Sequence, residues 1–433
     1  MQPIPVDSFS FFYGYFFKGS TIFSLRHRTR LACFVRCSLS QLIVLLAPLT
    51  AFAQTNPPAV ENFKQLSAQA AKASEENRLD DAALLYRKAL TLQPRWAEGW
   101  WALGTLQYDK NQYASAARAF ERLVALRPTN GSAHAMLGLC QIELKQDPAA
   151  LKNLLSAQDL GVLEDSQLRR VVLYQLGSVQ LRSRRFTDAK ATFSQLVKDG
   201  IRSDEVIAGM GMAALGVPPS NLPDKSTSGR DVVDRVGRAE SLAAKKDFGE
   251  AKQIYALLST EYPRYPNLHF AFGRLHLDAH ELDEAVAEFQ KELENDPNHL
   301  GALLEIAAVR YRVDSADGTK YAEQAVKISP QLPFAHYLLG LLYLDTDRSA
   351  EAVPELEIAR KAFAKQAQVY FALGNAYAKL GRKADAARMR AEFTRLNAAG
   401  KGQYGPSGAD TDQASSLLDQ KLDQQTAEPP PKP

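Results

Sequence analysis

Apolar and polar positions follow each other along most of the chain with a helical spacing that repeats about every thirty-four residues. Leu-Gly pairs lie at 103–104, 137–138, 176–177, 339–340 and 373–374, and each glycine precedes an alanine by twelve residues. Those alanines are Ala116, Ala150, Ala189, Ala352 and Ala386. The period indicates stacked helical hairpins, and no stretch shows the period-two alternation typical of a strand.

Two further positions recur with the same period. A bulky residue follows the alanine four positions later in most copies, at Phe120, Leu154, Phe193 and Leu356. Proline closes several units, at Pro94, Pro128, Pro263, Pro297 and Pro330, where it stops a helix. One hairpin cannot bury its own apolar face, so the pattern predicts stability from stacking.

These residues resemble the tetratricopeptide repeat family over roughly Phe63 to Asn397. The family's unit has a large residue at position four, Leu-Gly at seven and eight, alanine at twenty and an aromatic residue at twenty-four. The resemblance implies an all-α fold, a right-handed α-solenoid of stacked helix-turn-helix repeats. Small residues at positions eight and twenty let the two helices of a hairpin approach closely.

The repeats predict five segments. Residues 1–53 form a leader, residues 59–216 a first array and residues 231–397 a second array, and residues 398–433 form a polar tail that we expect to be disordered. Between the arrays, "GVPPSNLPDKSTSG" at 216–229 has the composition of a loop, which we assign to residues 217–230. Asp204–Leu215 begins as a first helix and then lacks an adjacent partner.

The leader has the order of a secretory signal peptide. Arginines precede an apolar run from Leu39 to Phe52, and the small-x-small sequence Ala51-Phe52-Ala53 precedes Gln54. The run is short for a membrane span and contains Pro48. We therefore expect an exported protein, periplasmic or secreted, the alternative being an uncleaved N-terminal anchor that faces the periplasm. The over-long leader indicates that the true start lies downstream of Met1.

Charge and cysteine content argue against a nucleic-acid partner and against an internal disulfide. The formal net charge of +3 depends on the leader, because Lys18 and four arginines stand there against Asp7. Residues after 53 carry 47 basic and 48 acidic side chains, which does not favour a nucleic-acid partner. Of the three cysteines only Cys140 lies beyond the leader, so no internal disulfide is expected.

Motifs that suggest chemistry have structural explanations here. Gly209, Gly211 and Ala214 match GxGxxA, but the preceding segment is helical, whereas a dinucleotide site needs a strand there. His276 and His280 are four apart, yet His269 and His276 fall on core positions four and eleven and His280 on a turn. His134 and His336 also take position four. We expect no enzymatic activity, no cofactor and no metal.

Two adjacent tryptophans, Trp100 and Trp101, point about 100° apart on a helix, so one apolar face cannot bury both. In the family, positions two, five, nine, twelve and thirteen of the first helices line a concave groove. Trp100 takes position four in the core, and Trp101 takes position five in the groove. The resemblance implies a partner-binding groove formed by Trp101, Tyr108, Tyr174, Arg182, Phe270, Arg274, Tyr311, Arg312, Phe334, Tyr337, Phe371 and Asn375.

Aromatic and arginine side chains on such a surface favour binding of an extended or helical peptide. Family members that grip a terminal carboxylate use lysine at position five, whereas Phe371 stands there beside Asn375, so that function is not expected. We expect a non-catalytic protein-interaction scaffold of the bacterial envelope, with membrane contact only through an uncleaved leader. The alternative is an envelope-assembly or secretion accessory that binds glycan or polysaccharide through the same aromatic residues.

Overall fold

The computed structural model describes residues 58–161 and 167–399, and the predicted leader and most of the predicted tail lie outside these ranges. The chain divides into two compact units between residues 162 and 163. All regular elements in the described ranges are helices, which confirms the predicted all-α solenoid. The helices of the first unit are α1 (Pro58–Glu75), α2 (Leu79–Leu92), α3 (Ala97–Asp109), α4 (Tyr113–Leu126), α5 (Gly131–Glu143) and α6 (Asp147–Leu160).

The second unit contains thirteen described helices and one short 3-10 turn, Pro219–Asn221. The helices are α7 (Gln167–Arg182), α8 (Phe186–Lys198), α9 (Asp204–Ala214), α10 (Ser228–Ala243), α11 (Phe248–Glu261), α12 (Leu268–Asp278), α13 (Leu282–Asn295), α14 (Leu300–Arg310), α15 (Ser315–Ile328), α16 (Pro333–Asp345), α17 (Ser349–Ala362), α18 (Ala367–Lys379) and α19 (Lys383–Ala399).

Five hairpins interlock through the glycine at position eight, which is Gly104, Gly138, Gly177, Gly273 or Gly340. A Cβ added to Gly104 would lie 2.8 Å from the Phe120 ring, and one added to Gly177 would lie 2.7 Å from the Phe193 ring. Gly340 has the same relation to Leu356, at 2.6 Å. The large side chain of the second helix therefore occupies the space that any other residue at position eight would need, which brings the two helices close together.

The 217–230 loop connects two helices that touch through glycines. A Cβ on Gly211 would lie 1.9 Å from the Val233 carbonyl oxygen, and a Cβ on Gly237 would lie 2.0 Å from the Ile207 carbonyl oxygen. These contacts pair early residues of α9 with late residues of α10, so the two helices are antiparallel. The helix that the sequence left without an adjacent partner thus packs against the helix beyond the loop.

Helix α10 packs on two sides, because it is also the first helix of the hairpin with α11. The buried residues of α7 through α12 form one hydrophobic cluster, and Val217 and Leu222 of the loop pack against it. The predicted array boundary at 217–230 therefore lies inside the second compact unit, whereas the division between the units falls at 162/163.

We predict that Gly211→Ala destabilises the protein by about 3 kcal/mol, since a methyl group there overpacks a backbone-to-backbone contact that no rotamer change relieves. Gly249→Ala is the matched control, because nothing lies within 4 Å of a Cβ at that helical position. It should be neutral or stabilising by about 0.5 kcal/mol. Urea unfolding followed by circular dichroism measures both, and equal midpoints for the two variants would contradict the prediction.

Position four carries a hydrogen-bonding ring at five hairpin junctions. In each, the ring bonds to the main-chain carbonyl six residues earlier, in the turn that ends the preceding hairpin or helix. Trp100 Nε1–H donates to the Pro94 oxygen at 2.8 Å, and the Tyr370 hydroxyl donates to the Ala364 oxygen at 3.0 Å. His134, His269 and His336 use Nε2 in the same way, toward Pro128, Pro263 and Pro330 at 3.0, 3.1 and 2.9 Å.

The histidines add a second contact through Nδ1, to a side chain on the second helix of their own hairpin. The partner is Asn153 for His134 at 2.9 Å, Glu288 for His269 at 2.7 Å, and Glu355 for His336. His269 and His336 are buried, which agrees with the structural role predicted for position four. His276 is also buried, and His280 lies in a turn with a left-handed backbone, φ 62°.

The carboxylates set the protonation of two of these rings. The hydrogen bond that His269 donates to Glu288 raises the pKa of His269 above its ordinary value of 6.5, and the bond that His336 donates to Glu355 does the same for His336. The pKa of Glu288 is lowered, because bonds from His269 and Lys291 outweigh its burial. Both ring nitrogens of His269 and His336 face acceptors, so the protonated ring satisfies both contacts.

We predict that the free energy of unfolding falls as pH rises from 6 to 9. A raised folded-state pKa means that this stabilisation is complete below the unfolded pKa of about 6.5 and is lost through the higher folded pKa. Deprotonation removes one buried donor per ring, which costs about 1 kcal/mol each.

Urea unfolding across this pH range measures the loss. In Glu288→Gln/Glu355→Gln, the slope above pH 6.5 should be smaller than in the parent protein, while Glu323→Gln, on an exposed pair with Arg348, serves as the control. An unchanged slope in the double variant would count against the two histidines as its source.

Candidate functional site

Five first helices carry an aromatic ring at position five, and these position-five rings share one arrangement. Each ring contacts an aromatic ring on the second helix of its own hairpin or at that helix's C-terminal end. The pairs are Trp101 with Phe120 at 5.7 Å, Tyr174 with Phe193 at 6.4 Å, Phe270 with Phe289 at 5.6 Å, Tyr337 with Phe363 at 6.5 Å and Phe371 with Phe393 at 5.3 Å between centroids. The second helix therefore holds each ring in place.

The position-five rings are only partly buried. Trp101, Tyr174, Phe270 and Tyr337 are half-buried, and Phe371 is 50% exposed. Trp100 is half-buried as well, but it packs against the core residues of α1, α2 and α3, and its indole nitrogen is bonded at the junction. The two adjacent tryptophans thus have different environments, as the angular argument requires.

Neighbouring first helices in the second unit contact each other, which groups some of these rings. Helix α16 contacts both α14 and α18, so Tyr337 and Phe371 lie on adjacent first helices. Phe270 lies beneath the start of α14, where its ring is 4.8 Å from the His299 ring and 2.9 Å from the position of a Cβ on Gly301. Glycine at 301 leaves room for that ring.

Tyr108, predicted for the same surface, is largely buried. Its ring packs against Tyr113 at 5.4 Å, and burial strongly raises the pKa of its hydroxyl. Partial desolvation raises the pKa of the adjacent Asp109 carboxyl to about 6.

Three predicted residues have positions that differ from the prediction. Phe334 is fully buried, because the second residue of α16 points into the core cluster shared with α14 and α18. Tyr311 and Arg312 lie beyond the C-terminus of α14, which ends at Arg310. The α14–α15 unit is shorter than the others, so its positions twelve and thirteen fall in the turn, where Arg312 has φ 67° and lies over the Tyr311 ring at 5.0 Å.

The remaining predicted residues are polar. Arg182 is exposed at the end of α7, and Asn375 is half-buried on α18. Arg274 pairs with Glu305 of α14 at 2.7 Å, where the Glu305 side chain is only 2% exposed. Arg274 therefore stabilises the contact between neighbouring first helices, as well as lying at position nine.

Sequence reasoning missed a buried polar cluster beside Arg274. Glu240 of α10 accepts a hydrogen bond from the Tyr255 hydroxyl at 2.7 Å and pairs with Lys190 of α8 at 2.8 Å. Lys190 also lies 3.7 Å from Asp278 of α12. The only available signal was that Glu240 follows Val233 and Val236 at helical spacing, which does not identify its partner. These contacts link α8, α10, α11 and α12, and they place the Lys190 ammonium between the carboxylates of Glu240 and Asp278.

The described residues contain neither a metal-binding group nor a membrane-spanning helix. Within residues 58–161 and 167–399, no three His, Cys, Asp or Glu side chains are placed to share a metal ion. Over the same ranges no helix is both long and apolar enough to cross a membrane. Burial raises the pKa of the Cys140 thiol to about 12, so this cysteine is not poised as a nucleophile.

Comparison with known proteins gives the same repeat assignment. Tetratricopeptide repeat models match residues 68–130, 101–161 and 337–388, and a second such model matches residues 171–199. A curated relative, the Protein CTR9 homolog of Arabidopsis thaliana, is 24% identical over 328 residues, which make up 74% of this chain and 27% of the relative. The chain thus spans about a quarter of that relative's length.

Two of the similar solved structures differ in how much of this chain they cover. MamA (41-end) from Desulfovibrio magneticus RS-1 is 18% identical, with 39% of this chain and 98% of that one covered and a TM-score of 0.36. A tetratricopeptide repeat protein from Parabacteroides merdae is 14% identical, with 65% and 99% covered and a TM-score of 0.31. Together with the helical hairpins described above, the family matches identify this chain as one that contains tetratricopeptide repeats.

Proposed function

We propose that the protein is a non-catalytic scaffold that binds a partner polypeptide on the surface formed by its first helices. Tetratricopeptide repeats are generally protein-interaction modules, which supports the class of function. The observation that carries the proposal is the arrangement of the position-five rings. Each is held by a ring of its own hairpin and leaves part of its surface open, so a partner would bind rings whose rotamers are already restricted.

The chemistry of this surface favours a polypeptide as the partner. Aromatic rings supply apolar contact area, and Arg182 and Asn375 on the same helices supply polar groups. Within the second unit, an extended or helical segment lying across the adjacent first helices α16 and α18 would meet Tyr337 and then Phe371. The order of the leader further supports a proposal that the scaffold works outside the cytoplasm, in the periplasm or after secretion.

We predict that Trp101→Ala/Tyr174→Ala/Phe270→Ala abolishes capture of the partner from a cell-envelope extract by the chain that starts at Gln54. The matched control is Leu84→Ala/Leu257→Ala/Ile358→Ala, which removes side chains that are 51%, 59% and 41% exposed on second helices. Circular dichroism and urea unfolding must show that both variants remain folded. The captured protein, purified separately, should bind the control at least tenfold more tightly than the triple variant.

Equal affinity of both variants would place the interface elsewhere and reject the proposal. Loss of binding on addition of envelope oligosaccharide, with no purified protein able to replace it, would instead favour the glycan-binding alternative.

We predict that the mature protein begins at Gln54. N-terminal sequencing or intact-mass measurement of protein from the periplasmic or secreted fraction tests this directly. Ala51→Arg/Ala53→Arg should block cleavage, because the cleavage site needs small residues, while Ala51→Gly/Ala53→Gly keeps small residues there and is the matched control. Recovery of an uncleaved chain from the cytoplasmic fraction would reject export.

A further inference from the structure

The last described hairpin, α18–α19, leaves apolar side chains open that its counterparts bury. Position twenty-seven of the second helix is at most 1% exposed at Leu123, Ala157, Leu196, Leu258 and Ala359. Its counterpart in α19 is Phe393, which is only half-buried. Phe393 packs against Phe371, itself 50% exposed, at 5.3 Å between ring centroids.

The difference has a structural cause. In α12, the position-five ring Phe270 lies under the start of the next first helix, at His299 and Gly301. Phe371 is at the corresponding place in α18, and α19 is the last helix that the structure describes. The Phe371–Phe393 pair therefore marks the face on which a further element would stack.

This face belongs to a basic segment, residues 379–395, which we call its basic border. The segment contains six lysine or arginine residues against two carboxylates, Asp385 and Glu392, which pair with Arg382, Arg388 and Arg395. Position twenty-four, which is Phe120 or Leu356 in other hairpins, is the exposed Arg390 in α19. A suitable occupant would combine apolar side chains for the ring pair with negative charge for its border.

The chain beyond α19 has that composition. Residues 410–428 contain five acidic residues and one lysine, Lys421, around Leu417, Leu418 and Leu422. Leu418 and Leu422 are four apart, the spacing that places two side chains on one face of a helix. The net charge of residues 379–395 is +4 and that of residues 410–428 is −4.

The chain between α19 and residues 410–428 is long enough to reach the Phe371–Phe393 pair. Phe393 precedes the end of α19 by six residues, roughly 9 Å along a helix. Residues 400–409 connect α19 to this segment and are rich in glycine, which gives a flexible linker a root-mean-square span of about 17 Å. Such a linker gives an effective concentration in the millimolar range, so a contact with a dissociation constant of about 0.1 mM is mostly formed.

We infer that residues 410–428 dock on the Phe371–Phe393 face of the last hairpin of the same chain, with their leucines on the ring pair and their carboxylates toward the basic border. This face lies at the end of the repeat stack and includes Phe371, the last of the position-five rings, which the docked segment would cover. The docking holds whether or not a partner binds to the other rings.

Hydrogen exchange of the α19 amides in the full chain tests the inference. In Leu417→Ser/Leu418→Ser/Leu422→Ser, the last two turns of α19 should exchange about tenfold faster than in the parent chain, since a contact about 90% formed protects by that factor. Tyr404→Ser, which removes an aromatic ring from the linker and keeps the leucines, should leave exchange unchanged. Arg390→Glu, which acts from the other side of the contact, should reproduce part of the acceleration.

Equal exchange in the parent chain and the triple-serine variant would overturn the inference. The measurement is repeated over a hundredfold range of protein concentration. Protection that does not change with concentration supports docking within one chain, whereas protection that increases with concentration would assign the segment to a second copy and overturn the intramolecular docking.

Discussion

The structure depends on the contact between a side-chain-free position on one helix and a large side chain on the next. Where Gly104, Gly177 and Gly340 face Phe120, Phe193 and Leu356, any larger residue would collide with the facing ring or branch. This contact sets the separation of the two helices and therefore the direction in which each hairpin presents its outer surfaces. The position-five rings are braced by the second helix only because the helices are this close.

The junctions between hairpins use a second device that the apolar pattern does not reveal. At five junctions a ring at position four closes the turn before it by bonding to a main-chain carbonyl in that turn, the proline's own in four cases and that of Ala364 in the fifth. Tryptophan, histidine and tyrosine all perform this task in the same chain, at Trp100, His134 and Tyr370. These junctions share a ring that carries a hydrogen-bond donor, whereas Leu173 takes position four in α7 without one.

Sequence reasoning succeeded where a position is decided by local geometry. Leu-Gly, the alanine twelve residues later and the closing proline repeat with the helix period, so helices and hairpins followed from them. It failed where a position depends on the neighbouring hairpin. Phe334 is buried by α14 and α18, and Tyr311 lies outside a helix because α14 is short. No single-residue pattern marks the Glu240–Lys190 pair, because its members are fifty residues apart and meet through packing.

The antiparallel contact of α9 with α10 adds one helix to the alternation of first and second helices. Because consecutive helices are antiparallel, one extra helix reverses the direction of the first helices that follow it. Helices α12, α14, α16 and α18 therefore run opposite to α7 and α9. The bond from Asn267 at the start of α12 to the Leu215 carbonyl at the end of α9, 2.8 Å long, fits this reversal. The helix dipoles of the two groups point in opposite senses. A polypeptide has a direction of its own, so one that is recognised in the same way by both groups must present two segments of opposite chain polarity.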